Sequence, residues 1–311
     1  MDDLLGVGKS ADKLIGTIER ALGAVYRPYG IRRDADAEAY RLTTLEAAKT
    51  DAKVRHTVEL ARAKADADIV TAEGKQALEA RLEARLKHKA LQQQQNIERI
   101  VEGALAQPQP APATENVDQD WLTNFFEQAQ SVSGTEMQAL WSRVLALEVG
   151  VPGTFSPRAL DVLRKMTRRE ANSFQVACKL ACSFTREDGR RAILHGALRH
   201  SWLSLSETPE INLGEYGLPF LDRMNLAQIG LMYEDGLVLG ESSRDDEWSF
   251  YFAPTQLVLR ARRGGIKLQN YALTPIGQEL SVLVAPEEDS AYIETLCTSL
   301  SKLFHVHSKN G

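Results

Sequence analysis

A few residue groups have the types and spacing that chemistry would need. Gly6-Val7-Gly8-Lys9-Ser10 resembles a phosphate-cradling loop, in which backbone N–H groups and a lysine ammonium hold phosphate oxygens. The full pattern also needs a glycine five residues before Gly8, where Asp3 stands, and a strand leading in, so nucleotide binding is not expected. Cys178 and Cys182, four apart on an expected helix face, supply half a thiolate metal site, but no His or Asp nearby completes it. They read as buried, inert thiols. His305 and His307 offer two imidazoles, too few for a metal. Asp245-Asp246-Glu247 is a carboxylate cluster with no lysine at nuclease spacing, and reads as a solvated turn. Arg260, Arg262, Arg263 and Lys267 surround Gly264-Gly265 and could meet nucleic-acid phosphates. No nucleophile elbow occurs. No catalytic residue, metal or cofactor is therefore assigned, and an enzyme is not expected.

The bulk numbers agree. The chain has 311 residues, with 37 Lys+Arg against 42 Asp+Glu, so nothing in its net charge draws it to nucleic acid or anionic lipid. Three cysteines cannot build a disulfide framework and suit a reducing compartment. No basic-then-apolar leader opens the sequence and no apolar run could span a bilayer, so a cytoplasmic protein is expected, at most peripheral at a membrane surface.

Several elements would have to position these groups. Residues 1–33 form a short lead, in which Leu14, Ile15, Ile18, Leu22 and Val25 fall on one face of a helix broken by Pro28 and Gly30. That face would be covered by the rest of the protein, by a partner or second copy, or by a membrane interface. Residues 34–105 are rich in Ala, Glu, Lys, Arg and Gln, and predict one long helical rod. Val54, Val58, Ala61, Ala65 and Ile69 make a weak coiled-coil seam there, able to pair within a hairpin folded at Gly74 or between chains. Residues 106–118, with Pro108, Pro110 and Pro112, form an extended linker. Residues 119–212 predict a helical domain. Its helices begin near Gln119, at Ser133 with Glu136 in a capping box, at Ser156-Pro157 and near Arg169. The last is expected to continue to Phe184.

The residues Tyr26-x-Pro28-x-x-Ile31-Arg32-Arg33 and Gln94-Gln95-Asn96-Ile97-Glu98 are followed by Asp120-Trp121-x-x-x-Phe125-Phe126. Glu136-Met137-Gln138-x-Leu140-Trp141 and Pro152-Gly153-x-Phe155-Ser156 come next. Together these resemble the bacterial "domain of unknown function 2806" family. The resemblance is closest over roughly the first 180 residues. It assigns no catalytic residue. Genes resembling that group occur among mobile or anti-phage defence genes, which implies a phage component, or a membrane or vesicle surface, as an expected target.

From residue 213 to 311 the pattern turns to mixed α and β. A helix from Leu218 to Met232, strands Ser249–Ala253 and Gln256–Ala261, and a hairpin at Gly264-Gly265 into Ile266–Tyr271 precede Leu273-Thr274-Pro275-Ile276-Gly277-Gln278-Glu279-Leu280. This order resembles a winged-helix module, closed by a final helix from Ser290 to Phe304. The expected fold is mainly α, with an amphipathic lead, a helical rod, a helical body and a winged-helix-like end. The expected function is assembly or sensing without catalysis, through self-association and a protein partner. Peripheral membrane contact and nucleic-acid binding are the alternatives.

Overall fold

The structure is a computed structural model that describes residues 12–19, 72–107, 116–184, 190–201, 204–207 and 210–310. The Gly6–Ser10 run, Leu22, Val25, the rod before residue 72 and the linker prolines lie outside the described residues. The chain divides into two compact units, Met1–Thr154 and Phe155–Gly311.

The first unit is helical. Helix α1 covers residues 12–19, α2 Ala72–Leu105, α3 Gln119–Ala129 and α4 Thr135–Gly150. Helix α2 includes Gly74 in its first turn. Its 34 residues give a length of about 50 Å. Among the residues whose burial is described, its buried apolar face lies in the C-terminal part, at Ile97, Ile100, Val101 and Ala104. Phe125 sits 5.2 Å from both Trp121 and Trp141, ring centre to ring centre, an aromatic cluster joining α3 to α4. Polar groups then set the register. Gln138 donates to Asn96 Oδ1 at 3.2 Å, Asn96 donates to the Gln130 carbonyl at 3.0 Å, and Ser142 donates to the Ile100 carbonyl at 2.8 Å. A Cβ on Gly103 would collide with Ser142 Oγ, so glycine lets the two backbones approach. Glycine 134, and not Ser133, is the N-cap of α4, and no side chain caps that helix.

The second unit overturns the mainly-α expectation. It is α+β, built on one antiparallel sheet with eight strands among the described residues. Helices α5 (Pro157–Lys165) and α6 (Arg168–Leu180) come first, α5 capped by Ser156 as its Ser-Pro start predicts. Strands β1 (Cys182–Ser183), β2 (Arg191–Ser201) and β3 (Ser204–Glu207) follow, inside the stretch expected to be all helical. Then come α7 (Phe220–Gln228), β4 (Leu237–Leu239), β5 (Glu247–Tyr251), β6 (Thr255–Ala261) and β7 (Ile266–Ala272). Helices α8 (Pro275–Ser281) and α9 (Ser290–Leu300) precede the last strand, β8 (Phe304–Asn310). The strand order is β4-β7-β2-β1-β5-β6-β8, with β3 also on β2.

This order removes the winged-helix reading. Gly264-Gly265 turns the chain as expected, but β6 pairs with β5 and β8 while β7 pairs with β2 and β4. No wing hairpin forms. The helix expected to reach Phe184 stops at Leu180, because β1 needs Cys182 and Ser183 extended against Ala192 and Arg191. The helix expected to reach Phe304 stops at Leu300, and Phe304 to Asn310 extend to pair with β6.

The Leu273–Leu280 phrase is a clamp. Thr274 caps α8, Pro275 occupies its first turn, and Thr274 Oγ1 donates to the Gly230 carbonyl. Gly277 leaves room for the Leu231 carbonyl oxygen, which a Cβ would strike. Gln278 accepts from Arg191 N–H at 2.9 Å and donates to Arg191 C=O at 3.0 Å, as a neighbouring strand would. Glu279 accepts at 2.7 Å from both the N–H and the hydroxyl of Ser156, fixing the start of α5.

Candidate recognition site

The candidate site grows from an irregularity in β2. Pairing with β7 runs from Ala192 to Leu194, slips, and resumes at Gly196, leaving His195 as the extra residue of a β-bulge. Bulges re-aim a side chain out of the regular alternation. The imidazole of His195 stacks on Tyr271, with ring centres 4.3 Å apart and 21° between planes. It is 4 % exposed, and neither ring nitrogen makes a hydrogen bond. Nδ1 lies 3.4 Å from a Glu210 carboxylate oxygen without the alignment of a bond. A Cβ on Gly236 would sit 3.5 Å from Nε2, so the chain leading into β4 passes directly over it. Burial pulls the His195 pKa below its usual 6.5; Glu210 opposes this in part and Arg223 adds to it. The ring is neutral at neutral pH.

Arg223 of α7 completes the stack. Its guanidinium carbon lies 4.5 Å from the Tyr271 ring centre and 5.7 Å from that of Phe220. Both distances fall in the range of cation–π contact. No carboxylate pairs with it among the described residues, although Asp222 beside it is bound to Arg169 at 2.9 Å. A shallow groove follows, lined by Phe220, Arg223, Met224, Tyr233, Glu234 and Tyr271. Two of its lining side chains face solvent, Phe220 at 62 % and Tyr233 at 46 % exposure, and Leu221, next to Phe220 in α7, is 65 % exposed. Position is set by the clamp described above. Gly230, at φ 80°, turns the chain out of α7, and Thr274 holds its carbonyl.

The residues singled out in the sequence lie elsewhere. Leu14 and Ile18 are fully buried and Ile15 is half-buried, so much of the lead helix's apolar face is already covered in the fold. Arg260 lies 3.3 Å from Asp245, Lys267 lies 3.7 Å from Glu241, and Arg262 donates to the Phe304 carbonyl. Arg263 is exposed. Three of the four basic residues are thus engaged within the fold. Asp245, at φ 68°, turns the loop before β5, and Asp246 accepts from Ser243 N–H at 2.6 Å. Cys178 and Cys182 are buried, and burial pushes both thiols up to about 12. They do not share a helix, for Cys182 lies in β1. His305 and His307 are exposed on β8 rather than at a helix end. Among the described residues no group of three His, Cys, Asp or Glu is arranged to hold a metal. None of their helices is long and apolar enough to cross a membrane. Sequence reasoning missed His195, Tyr271 and Tyr233 as site residues.

An antiparallel sheet with helices, preceded by a helical unit, defines an α+β protein. The chain belongs to the DUF2806 family, proteins of unknown function, whose model matches residues 80–297. Neither a curated protein nor a solved structure matches it. The family match includes α3, α4, α7 and the whole groove.

Proposed function

We propose that this protein is a non-enzymatic assembly and recognition protein, and that the face of α7 is where its second unit meets a protein partner. The observation that carries this is the exposure of Phe220 and Tyr233 in one lining with a guanidinium that lies over two rings. Exposed apolar groups gathered at one place are characteristic of protein contact surfaces, and aromatic and arginine side chains dominate their energetics. In the helical unit, Leu78, Leu86 and Leu91 of α2 are exposed as single apolar side chains spread round the helix rather than along one seam. Peripheral membrane contact would call on the lead helix, whose Leu14 and Ile18 are occupied in the fold. A protein partner is therefore preferred over a lipid surface. The resemblance to genes found beside anti-phage systems makes a phage component the partner to test first.

A photo-crosslinking residue placed at Phe220 or Tyr233 of the intact protein, in cells with and without phage infection, tests this. A discrete adduct from both positions, lacking when the residue is placed at His305, is the expected result. Adducts identical at all three positions, or none, would remove the assignment.

A further inference from the structure

We infer that the groove beside α7 is a receptor for a peptide carboxylate, so that the partner presents an acidic side chain or a free C-terminus next to an apolar residue. The inference rests on the recognition role proposed above and specifies its chemistry. Three observations support it.

The first is the state of Arg223. An arginine this close to a folded core is ordinarily held by a carboxylate or by carbonyl oxygens. Here its partners are the rings of Tyr271 and Phe220, which offer no oxygen to its N–H groups. Two neighbouring acids are engaged elsewhere. Asp222 accepts from Arg169 and from Ser173, and Glu210 lies against His195. A planar fork with free donors matches the two oxygens of a carboxylate.

The second is the surroundings. Phe220 and Tyr233 flank the guanidinium and are largely exposed, while Met224 lines the groove between them. An apolar side chain next to the incoming carboxylate would bury against these groups and exclude water from the ion pair. That pairing needs both halves, because an exposed ion pair alone contributes little. Glu234 also lines the groove, unpaired with Arg223, and disfavours a ligand of high negative charge such as a polyphosphate. A single carboxylate pairs with Arg223 while meeting the least repulsion from Glu234.

The third is rigidity. Tyr271 is held from beneath by the stacked His195, and the C-terminal turn of α7 is held by Thr274. The guanidinium is thereby oriented before any ligand arrives, which lowers the ordering cost of binding.

Random-peptide display on the intact protein tests the inference, with selected peptides then measured on the wild type, Arg223→Lys, Arg223→Gln and Phe220→Ser. The expected result is a consensus with Asp, Glu or a C-terminal carboxylate beside an apolar residue. Affinity should fall about tenfold or more in Arg223→Gln and partly in Arg223→Lys, which keeps the charge but not the fork. Hydrogen-exchange protection should map to residues 220–237. Unchanged melting curves separate lost recognition from lost folding; where Arg223→Gln does melt earlier, amidation or Glu→Gln replacement in the peptide makes the same comparison on the unaltered protein. A consensus without a carboxylate, weakened by Phe220→Ser but not by Arg223→Gln, overturns the carboxylate and leaves the recognition surface standing. No enrichment, or protection confined to other residues, overturns both.

Discussion

At the scale of the residue, His195 is the least conventional group in the molecule. A buried imidazole with two unbonded nitrogens is tolerated only as the neutral form, because a buried charge would have to be solvated by the fold. Its pKa is depressed in the folded protein, so between that value and 6.5 the unfolded chain binds more protons. Stability therefore rises with pH in that window and is lost as pH falls below 6.5 toward the folded value. Each pH unit within it is worth about 1.4 kcal/mol. His195→Phe keeps a ring against Tyr271 and removes the titration. Urea midpoints at about pH 7.5 and about pH 5.5 should fall for the wild type and fall less for the variant. An equal fall in both would mean that other groups carry the acid sensitivity. The histidine was invisible in the sequence for a physical reason. A lone His between Leu194 and Gly196 has no ligand spacing, and only the bulge turns it toward Tyr271, 76 positions further on.

At the scale of the element, the helices and the strands β5, β6 and β7 were legible, and the pairing of the sheet was not. The apolar spacing of Trp121, Leu122, Phe125 and Phe126 marks α3, and Met137, Leu140, Trp141 and Val144 mark α4. The winged-helix expectation failed because short-range signals carry no information on which strands pair. Gly264-Gly265 is a correct turn, yet β7 leaves it for β2, whose partner residues are about seventy positions away in the chain. The Leu273–Leu280 phrase was likewise correct as a capped helix and wrong as the end of a wing. What it does instead is measurable. In Gly277→Ala the new methyl must displace the Leu231 carbonyl, backbone that cannot swing aside. Overpacking of this kind costs about 2–3 kcal/mol, to be read from denaturant unfolding of the intact protein. A cost under about 0.5 kcal/mol would show that α8 is not clamped as described.

At the scale of the whole molecule, the two units differ in how they are held together. The first relies on helix packing with an Asn96–Gln138–Ser142 register lock, the second on strand pairing across long stretches of sequence. All the bonds that make the clamp, the sheet and the groove fall within residues 155–311. Expressed alone, that segment should give a dispersed amide spectrum and a cooperative melt. A collapsed spectrum would mean that it depends on the helical unit.

Strand β8 bears on how the protein is made. It is the outer neighbour of β6, paired with it from Ala261–Phe304 to Thr255–Asn310, and it lies at the end of the sheet. During synthesis, β6 leaves the ribosome some fifty residues before the strand that covers it. For that interval Leu257, Val258 and Leu259 border an open edge able to recruit strands from other nascent chains. Shortening the chain before Phe304 would make that interval permanent, and the yield of soluble protein should register the loss before any binding assay does.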